Sequence, residues 1–202
     1  MKLFLASGSA HKVTELRRIL AASSVMVEVV GMRDVDPYPE PIENGATFED
    51  NALIKARAGF MQTGLVTLAD DSGIEVDVLN RMPGVRSARW AGTGAGDGAN
   101  LELLIRQIDD VEDKRRSARF VCAMAMVGDG VEQVLRGIVE GTLEQIPRGD
   151  HGFGYDPIFV PEGETRTMAE MTDEEKDAIS HRGRALRAMI PSIEVIVDQE
   201  VQ

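Results

Sequence analysis

The ten residues Leu68-Ala69-Asp70-Asp71-Ser72-Gly73-Ile74-Glu75-Val76-Asp77 constrain this chain more than any others. Two adjacent carboxylates, a hydroxyl and a glycine follow an apolar strand-like run, Leu65 to Ala69, and a second such run, Ile74 to Leu79, begins at once. Side chains at the end of a rigid strand are held in place while still reaching a cleft. Neighbouring aspartates repel each other unless a cation or a shared proton relieves them. One reading is therefore a Mg²⁺ site that hydrolyses a phosphoanhydride. The other is an Asp-Asp-Ser-Gly turn between two strands, because Asp, Ser and Gly favour turns.

A chain of 202 residues is long enough for one sizeable core, organised as one domain or two closely joined lobes. With 43% hydrophobic and 28% charged residues it has the make-up of an ordinary soluble protein. No apolar run approaches the ~20 residues that span a bilayer, and Met1 to Ala6 is too short for a signal peptide. Cys122 is the single cysteine and lies in an apolar run, which predicts an inert core thiol and fits a reducing cytoplasm. The 34 acidic residues outnumber the 22 basic ones, giving a net charge of −12. That excess argues against binding to nucleic acid or to an anionic membrane. A small anionic substrate would then need a metal ion and a local cluster of cations.

The pattern predicts alternating strands and helices. Residues 2–6 read as a strand, followed by the loop Ser7-Gly8-Ser9-Ala10 and a helix with Val13, Leu16, Ile19 and Leu20 on one face. Val25 to Val30 reads as a strand, and Asp34 to Gly45, with three prolines, as a loop. Thr47-Phe48-Glu49-Asp50 resembles a capping box opening a helix to about Met61. Beyond the acidic pair come a Pro83-Gly84 turn, an extended Val85 to Trp90, and a flexible loop from Gly92 to Gly98. A helix follows through Leu101 and Ile108, then a long hairpin from Phe120 to Val139 turning at Gly128-Asp129-Gly130. A short strand Ile158 to Val160 and a helical region from about Asp173 to Ile190 complete the chain. Mixed strands and helices with a prominent hairpin predict an α/β fold with a mixed sheet.

Four further segments can carry chemistry. Ser7-Gly8-Ser9-Ala10-His11-Lys12 joins a strand to a helix, so small residues, hydroxyls, a lysine and a helix N-terminus can meet phosphate oxygens; simple capping by Ser9 explains the same residues. Glu43 precedes the helix carrying Lys55, and with Asp71 it would suit Mg²⁺, which takes one or two protein carboxylates and completes its shell with water and phosphate. Phe153-Gly154-Tyr155-Asp156-Pro157 offers rings to stack on a base and a carboxylate to accept from a ring N–H, or else forms a turn whose aromatics join the core. Lys176 and Ser180-His181-Arg182-Gly183-Arg184 form the densest cationic cluster, whose alternative is a solvated helix end. His11, His151 and His181 have no metal-ligand spacing.

In this order and spacing the motifs closely resemble the inosine/xanthosine triphosphate pyrophosphatases, which hydrolyse deaminated purine nucleoside triphosphates to the monophosphate and pyrophosphate. The likeness runs from Leu5 to Leu186 and is carried by Ala6 to Lys12, Glu43 to Ala52 with Lys55, Ala69 to Gly73, Pro83 to Trp90, Phe153 to Pro157 and Ser180 to Gly183. The resemblance implies a single domain over residues 1–202, an elongated two-lobed mixed β-sheet flanked by helices, with the active site in the cleft between lobes. It also implies a cytoplasmic homodimer with Mg²⁺ as cofactor. Ser7, Gly8, Ser9, Ala10, His11 and Lys12 would hold the triphosphate, with Lys55 near it. Glu43 and Asp71 would bind Mg²⁺, Asp71 being the family's proton acceptor for the attacking water. A carboxylate bonded to Mg²⁺ is a poor base, so positioning metal and water is an alternative role for Asp71. Ser72 would contact substrate, and Phe153, Gly154, Tyr155, Asp156, Lys176, His181 and Arg182 would complete the nucleotide site, the later group near the base.

Two positions depart from the family pattern: Ser9 stands where Asn is usual, and Asp50 where Glu is common. Ser9 also echoes the opening of the Maf-like nucleotide pyrophosphatases, which act on dTTP, UTP or modified pyrimidines, but the arginine pair of that class is absent at His11-Lys12. A nucleotide-binding module without catalysis would keep Lys12, Lys176 and Arg182 and have no need of Glu43 and Asp71 together.

Overall fold

Leu3, Phe4 and Leu5 are all fully buried, so the first strand, β1 (Lys2–Leu5), is covered on both faces, as the strands of a parallel sheet are. It pairs in parallel with β2 (Glu28–Gly31) on one side and with β3 (Val66–Val76) on the other. Helices α1 (Ala10–Ala21) and α2 (Phe48–Thr63) make the connections. β4 (Met82–Pro83) pairs antiparallel with the far end of β3. After α3 (Gly96–Gln107) come β5 (Ser117–Gly128) and β6 (Val131–Leu143), joined by Asp129-Gly130, and then β7 (Phe159–Pro161), antiparallel to β6. Among the described residues seven strands form one mixed sheet in the order β2-β1-β3-β5-β6-β7, with β4 on β3. Helices α4 (Asp173–Ile179) and α5 (His181–Glu200) end the chain. This computed structural model describes residues 1–23 and 25–200.

Contacts divide the chain into two units. The first comprises residues 1–71, 122–137 and 182 onward, with a core in which Leu3, Leu5, Leu16, Leu68, Met124, Leu186 and Met189 are buried. The second comprises 72–121 and 138–181, with Ile74, Leu104, Ile108, Phe120, Phe159 and Met168 at its centre. Strands β3, β5 and β6 begin in one unit and end in the other. Among the described residues no helix is long and apolar enough to cross a membrane.

Helices α1 and α2 start where the sequence says they should. Ser9 caps α1 by accepting the Lys12 amide, and Thr47 and Asp50 form a reciprocal capping box on α2. Elsewhere the structure corrects the sequence reading. Asp70 to Gly73 is no turn: β3 runs unbroken through it. Successive strand residues point to opposite faces, so the two carboxylates separate and each meets its own cation. Ser87 Oγ accepts the Ile74 amide at 2.9 Å, which occupies the backbone where a turn would have to break. A Cβ on Gly73 would fall 2.3 Å from that oxygen.

Four boundaries also move. Val85 to Trp90 is coiled rather than extended, residues Gly84–Arg89 forming a 3-10 turn stabilised by Ser87 Oγ donating to the Gly84 carbonyl at 2.7 Å. The second strand spans Glu28–Gly31 rather than starting at Val25, following its register with Lys2 to Leu5. Gly96, Asp97 and Gly98 belong to α3. The terminal helical region splits at Ser180 and runs on to Glu200.

Candidate active site

In the first unit, residues 7–12 run from the link after β1 into the first turn of α1. Ser7 Oγ accepts the Ser9 amide at 3.3 Å, and Ser9 Oγ accepts the Lys12 amide at 3.5 Å. Ser9 thus works as a helix cap, so the serine in place of the family's asparagine has a structural task of its own. The first turn of α1 holds no acidic side chain, which leaves its positive dipole end uncompensated for an anion. A cavity of about 300 Å³ opens here, lined by Ser7, Gly8, Ser9, Lys12, Glu43 and Lys55, and also by Ala6, Met32, Tyr38, Glu40 and Pro41. Ala10 and His11 lie exposed on the first turn and do not line it.

The two aspartates of β3 have separate partners. Asp70 is 2% exposed and receives Lys12 Nζ at 2.9 Å and Arg182 Nε at 3.1 Å on the same oxygen, Oδ2. Arg182, 1% exposed, also donates to Glu15 Oε2 at 2.6 Å. Burial alone would raise the Asp70 pKa, but Lys12, Arg182 and Lys55 outweigh it and hold the carboxyl far below the usual range. Asp71 accepts from Asn51 Nδ2 at 3.0 Å and has Lys55 Nζ 3.7 Å away. That ammonium lies 3.1 Å from Glu43 as well. Burial, with Glu43 adding to it, raises the Asp71 pKa despite Lys55, Asn51 and Lys12. Burial works against the Lys55 ammonium, but Asp70, Asp71 and Glu43 outweigh it and its pKa is raised. Cys122 is buried near Asp70, and burial with that charge pushes its thiol up, as expected of an inert core cysteine.

Two residues here lie outside the sequence-derived set. Asn51 is fully buried and joins the loop after Glu43 to Asp71, because its Oδ1 accepts the Gly45 amide at 2.8 Å. Glu15 supplies the second negative charge of the set, since Asp70 alone faces both Lys12 and Arg182. A polar residue on the buried side of each helix was the available signal. Arg182, grouped by sequence with Lys176 and His181, belongs to this unit, whereas those two belong to the other.

In the second unit, residues 153–156 are tied down one by one. Asp156 Oδ2 accepts the Phe153 amide at 2.8 Å and Lys176 Nζ at 2.5 Å. The same ammonium sits 4.9 Å from the centre of the Phe153 ring, a cation–π distance. Gly154 donates to Asp97 Oδ2 at 3.1 Å, and the Tyr155 hydroxyl to the Ser87 carbonyl at 2.8 Å. Burial pushes the Tyr155 phenol up, so it stays a donor. Gly152 has φ +75°, and a Cβ there would lie 2.2 Å from Asp156. The His181 ring stacks on Phe120 at 4.8 Å. Lys176 and His181 are buried, which removes the solvated-helix-end reading. Ser72, half-buried, follows Asp71 on β3.

A cationic loop at a helix start, beside carboxylates held by lysines, defines a phosphate-handling α/β protein. The model of the Ham1 family matches residues 3–192, and the chain belongs to that family. It is 54% identical over 200 residues to a Mycobacteroides abscessus protein named dITP/XTP pyrophosphatase, covering 98% of this chain and 97% of the relative. A Mycobacterium tuberculosis protein of the same name is 52% identical over 193 residues, 95% of each chain. Among solved structures, the Staphylococcus aureus Ham1 protein superposes with a TM-score of 0.85 at 35% identity, over 96% of this chain and 98% of that one. The Mycobacterium abscessus dITP/XTP pyrophosphatase gives 0.76 at 55% identity, over 95% and 100%.

Proposed function

We propose that this protein is a Mg²⁺-dependent pyrophosphatase that hydrolyses deaminated purine nucleoside triphosphates, dITP, XTP and ITP, to the monophosphate and pyrophosphate. The observation that carries this reading is the first-unit constellation: a capped helix start with Lys12 shares one cavity with Glu43 and Lys55, and Lys55 reaches Asp71. The names of the relatives at 52–54% identity support the substrate class.

Glu43 and Asp71 fit the metal. Both offer hard oxygen donors and both already flank one cation, the Lys55 ammonium. Among the described residues no group of three or more His, Cys, Asp or Glu gathers to hold an ion. Two carboxylates leave positions for water and phosphate oxygens, the arrangement Mg²⁺ favours. When bound, the ion stabilises charge on the non-bridging and leaving oxygens.

Water attacks the α-phosphorus, the new P–O bond forms as the bond to the β-phosphate oxygen breaks, and pyrophosphate leaves. Ser7, Gly8, Ser9 and Lys12 bind the phosphate chain, Lys12 facing its negative charge. Asp71 orients the water and takes up its proton as the new bond forms. Phe153 and His181 offer rings to the base, and Lys176 and Asp156 offer a donor and an acceptor to its polar edge. A site built to hydrogen-bond a 6-oxo group leaves buried partners unpaired when a 6-amino group replaces it. On the family resemblance, the protein acts as a cytoplasmic homodimer, which light scattering of the purified chain tests for assembly.

Pyrophosphate release from ITP and XTP, with ATP as control, in Mg²⁺ and in EDTA tests the proposal. Release that needs the metal and spares ATP is expected. No release from either 6-oxo nucleotide, or equal turnover of ATP, would overturn it.

A further inference from the structure

The Lys55 ammonium lies 3.1 Å from Glu43 Oε1 and 3.7 Å from Asp71 Oδ1, the two carboxylates assigned above to the divalent ion. The same side chain, 15% exposed, lines the cavity shared by Ser7, Gly8, Ser9 and Lys12. Its backbone is held firmly: α2 is fixed at its start by the Thr47–Asp50 capping box and buries Asn51, Ala52 and Ala56. Asn51, one turn earlier on that helix, holds the other oxygen of Asp71 at 3.0 Å, so the carboxylate does not turn away either. The part with room to move is the flexible four-carbon stem of the lysine.

We propose that Lys55 is a resident counter-cation that makes divalent-ion binding at Glu43 and Asp71 conditional on a phosphate chain in the adjoining cavity; this rests on the metal reading above. An ion bonded to both carboxylates must displace a positive charge already paired with them. A phosphate chain gives that ammonium a new partner within one side-chain swing and offers the ion further oxygen ligands. Each ligand removes the obstacle to the other, and linkage makes the coupling reciprocal. Lys12 does not compete in this way, being held by Asp70 at 2.9 Å.

The test is Mn²⁺ binding to the intact protein, followed by electron paramagnetic resonance of the free ion, with and without inorganic tripolyphosphate and with complexation in solution accounted for. Wild-type affinity is expected to rise with tripolyphosphate, within the roughly 5- to 150-fold usual for such coupling. Lys55→Met is expected to bind Mn²⁺ about tenfold more tightly than wild type without tripolyphosphate, and to lose most of the coupling. Lys55→Gln, polar but uncharged, serves if the methionine variant melts early. Wild-type affinity indifferent to tripolyphosphate, or both variants binding Mn²⁺ no better than wild type, would overturn the inference. Mn²⁺ binding by no form under either condition would overturn the metal reading itself, and so tells the two failures apart.

Discussion

Lys12 and Arg182 meet on a single oxygen atom: Asp70 Oδ2 lies 2.9 Å from the lysine ammonium and 3.1 Å from the arginine Nε. Arg182 turns its other end to Glu15 at 2.6 Å, so two carboxylates and two cations form a neutral set in which all but the half-buried Lys12 are buried. The set ties the starts of α1 and α5 to the middle of β3. It also aims Lys12 into the cavity, because a lysine anchored by a carboxylate wanders less than a solvated one.

Asp70→Asn keeps the shape and removes the charge, leaving Lys12 and Arg182 under-compensated. Breaking a buried pair by removing one partner costs about 3–5 kcal/mol, and we expect a loss near the lower end since the amide oxygen still accepts one bond. Urea denaturation measures it. A variant as stable as wild type would mean the set contributes no net stability.

The same pair sets a pH dependence. The Asp70 pKa is depressed in the folded protein, so its stabilisation is full above the unfolded value of about 3.9 and is lost as pH falls toward the folded value. The stability gap between wild type and Asp70→Asn should therefore be constant above about pH 5 and narrow below about pH 4. Denaturation series at several pH values read the gap directly, and a gap that widens in acid would contradict the assignment.

The sequence made the starts of α1 and α2 legible, because Ser9 and the Thr47–Asp50 pair are local signals that act on the next few amides. It also marked both carboxylates and the cations near them in sequence. It did not show that β3 continues through Asp70-Asp71-Ser72-Gly73, since that depends on Ser87, thirteen residues beyond Ile74, taking up a backbone amide. The partners of Arg182 were hidden for the same kind of reason. Its neighbours in sequence, Lys176 and His181, pack in the second unit, while its partners, Asp70 and Glu15, are 112 and 167 residues away.

Asn51 couples the two proposed metal ligands, accepting from Gly45 and donating to Asp71. Asn51→Ala removes both bonds and leaves a buried acceptor poorly matched, which costs about 1–3 kcal/mol. Its kcat should fall less than that of Asp71→Asn, for which loss of the proton acceptor predicts about 10²–10⁴. Steady-state ITP hydrolysis ranks the two. Wild-type turnover by Asp71→Asn would eliminate both roles given to that carboxylate.

Asp156 tests the base-recognition assignment. Its Oδ2 holds the Phe153 amide and Lys176 Nζ together, and the lysine in turn sits over the Phe153 ring. In Asp156→Asn the amide still accepts from Phe153 if its oxygen faces that way, but the ammonium loses its counter-charge and its reason to stay. Removing one group from such a recognition set lowers kcat/KM for the preferred base by about 10–100-fold, while a nucleotide that never used the group is little affected. We therefore expect ITP turnover to fall toward the ATP rate, with the Ki for tripolyphosphate inhibition unchanged because Lys12 and its loop belong to the first unit. Measuring kcat/KM for ITP and ATP side by side decides the point: an equal loss on both nucleotides would show that Asp156 supports the fold and takes no part in choosing the base.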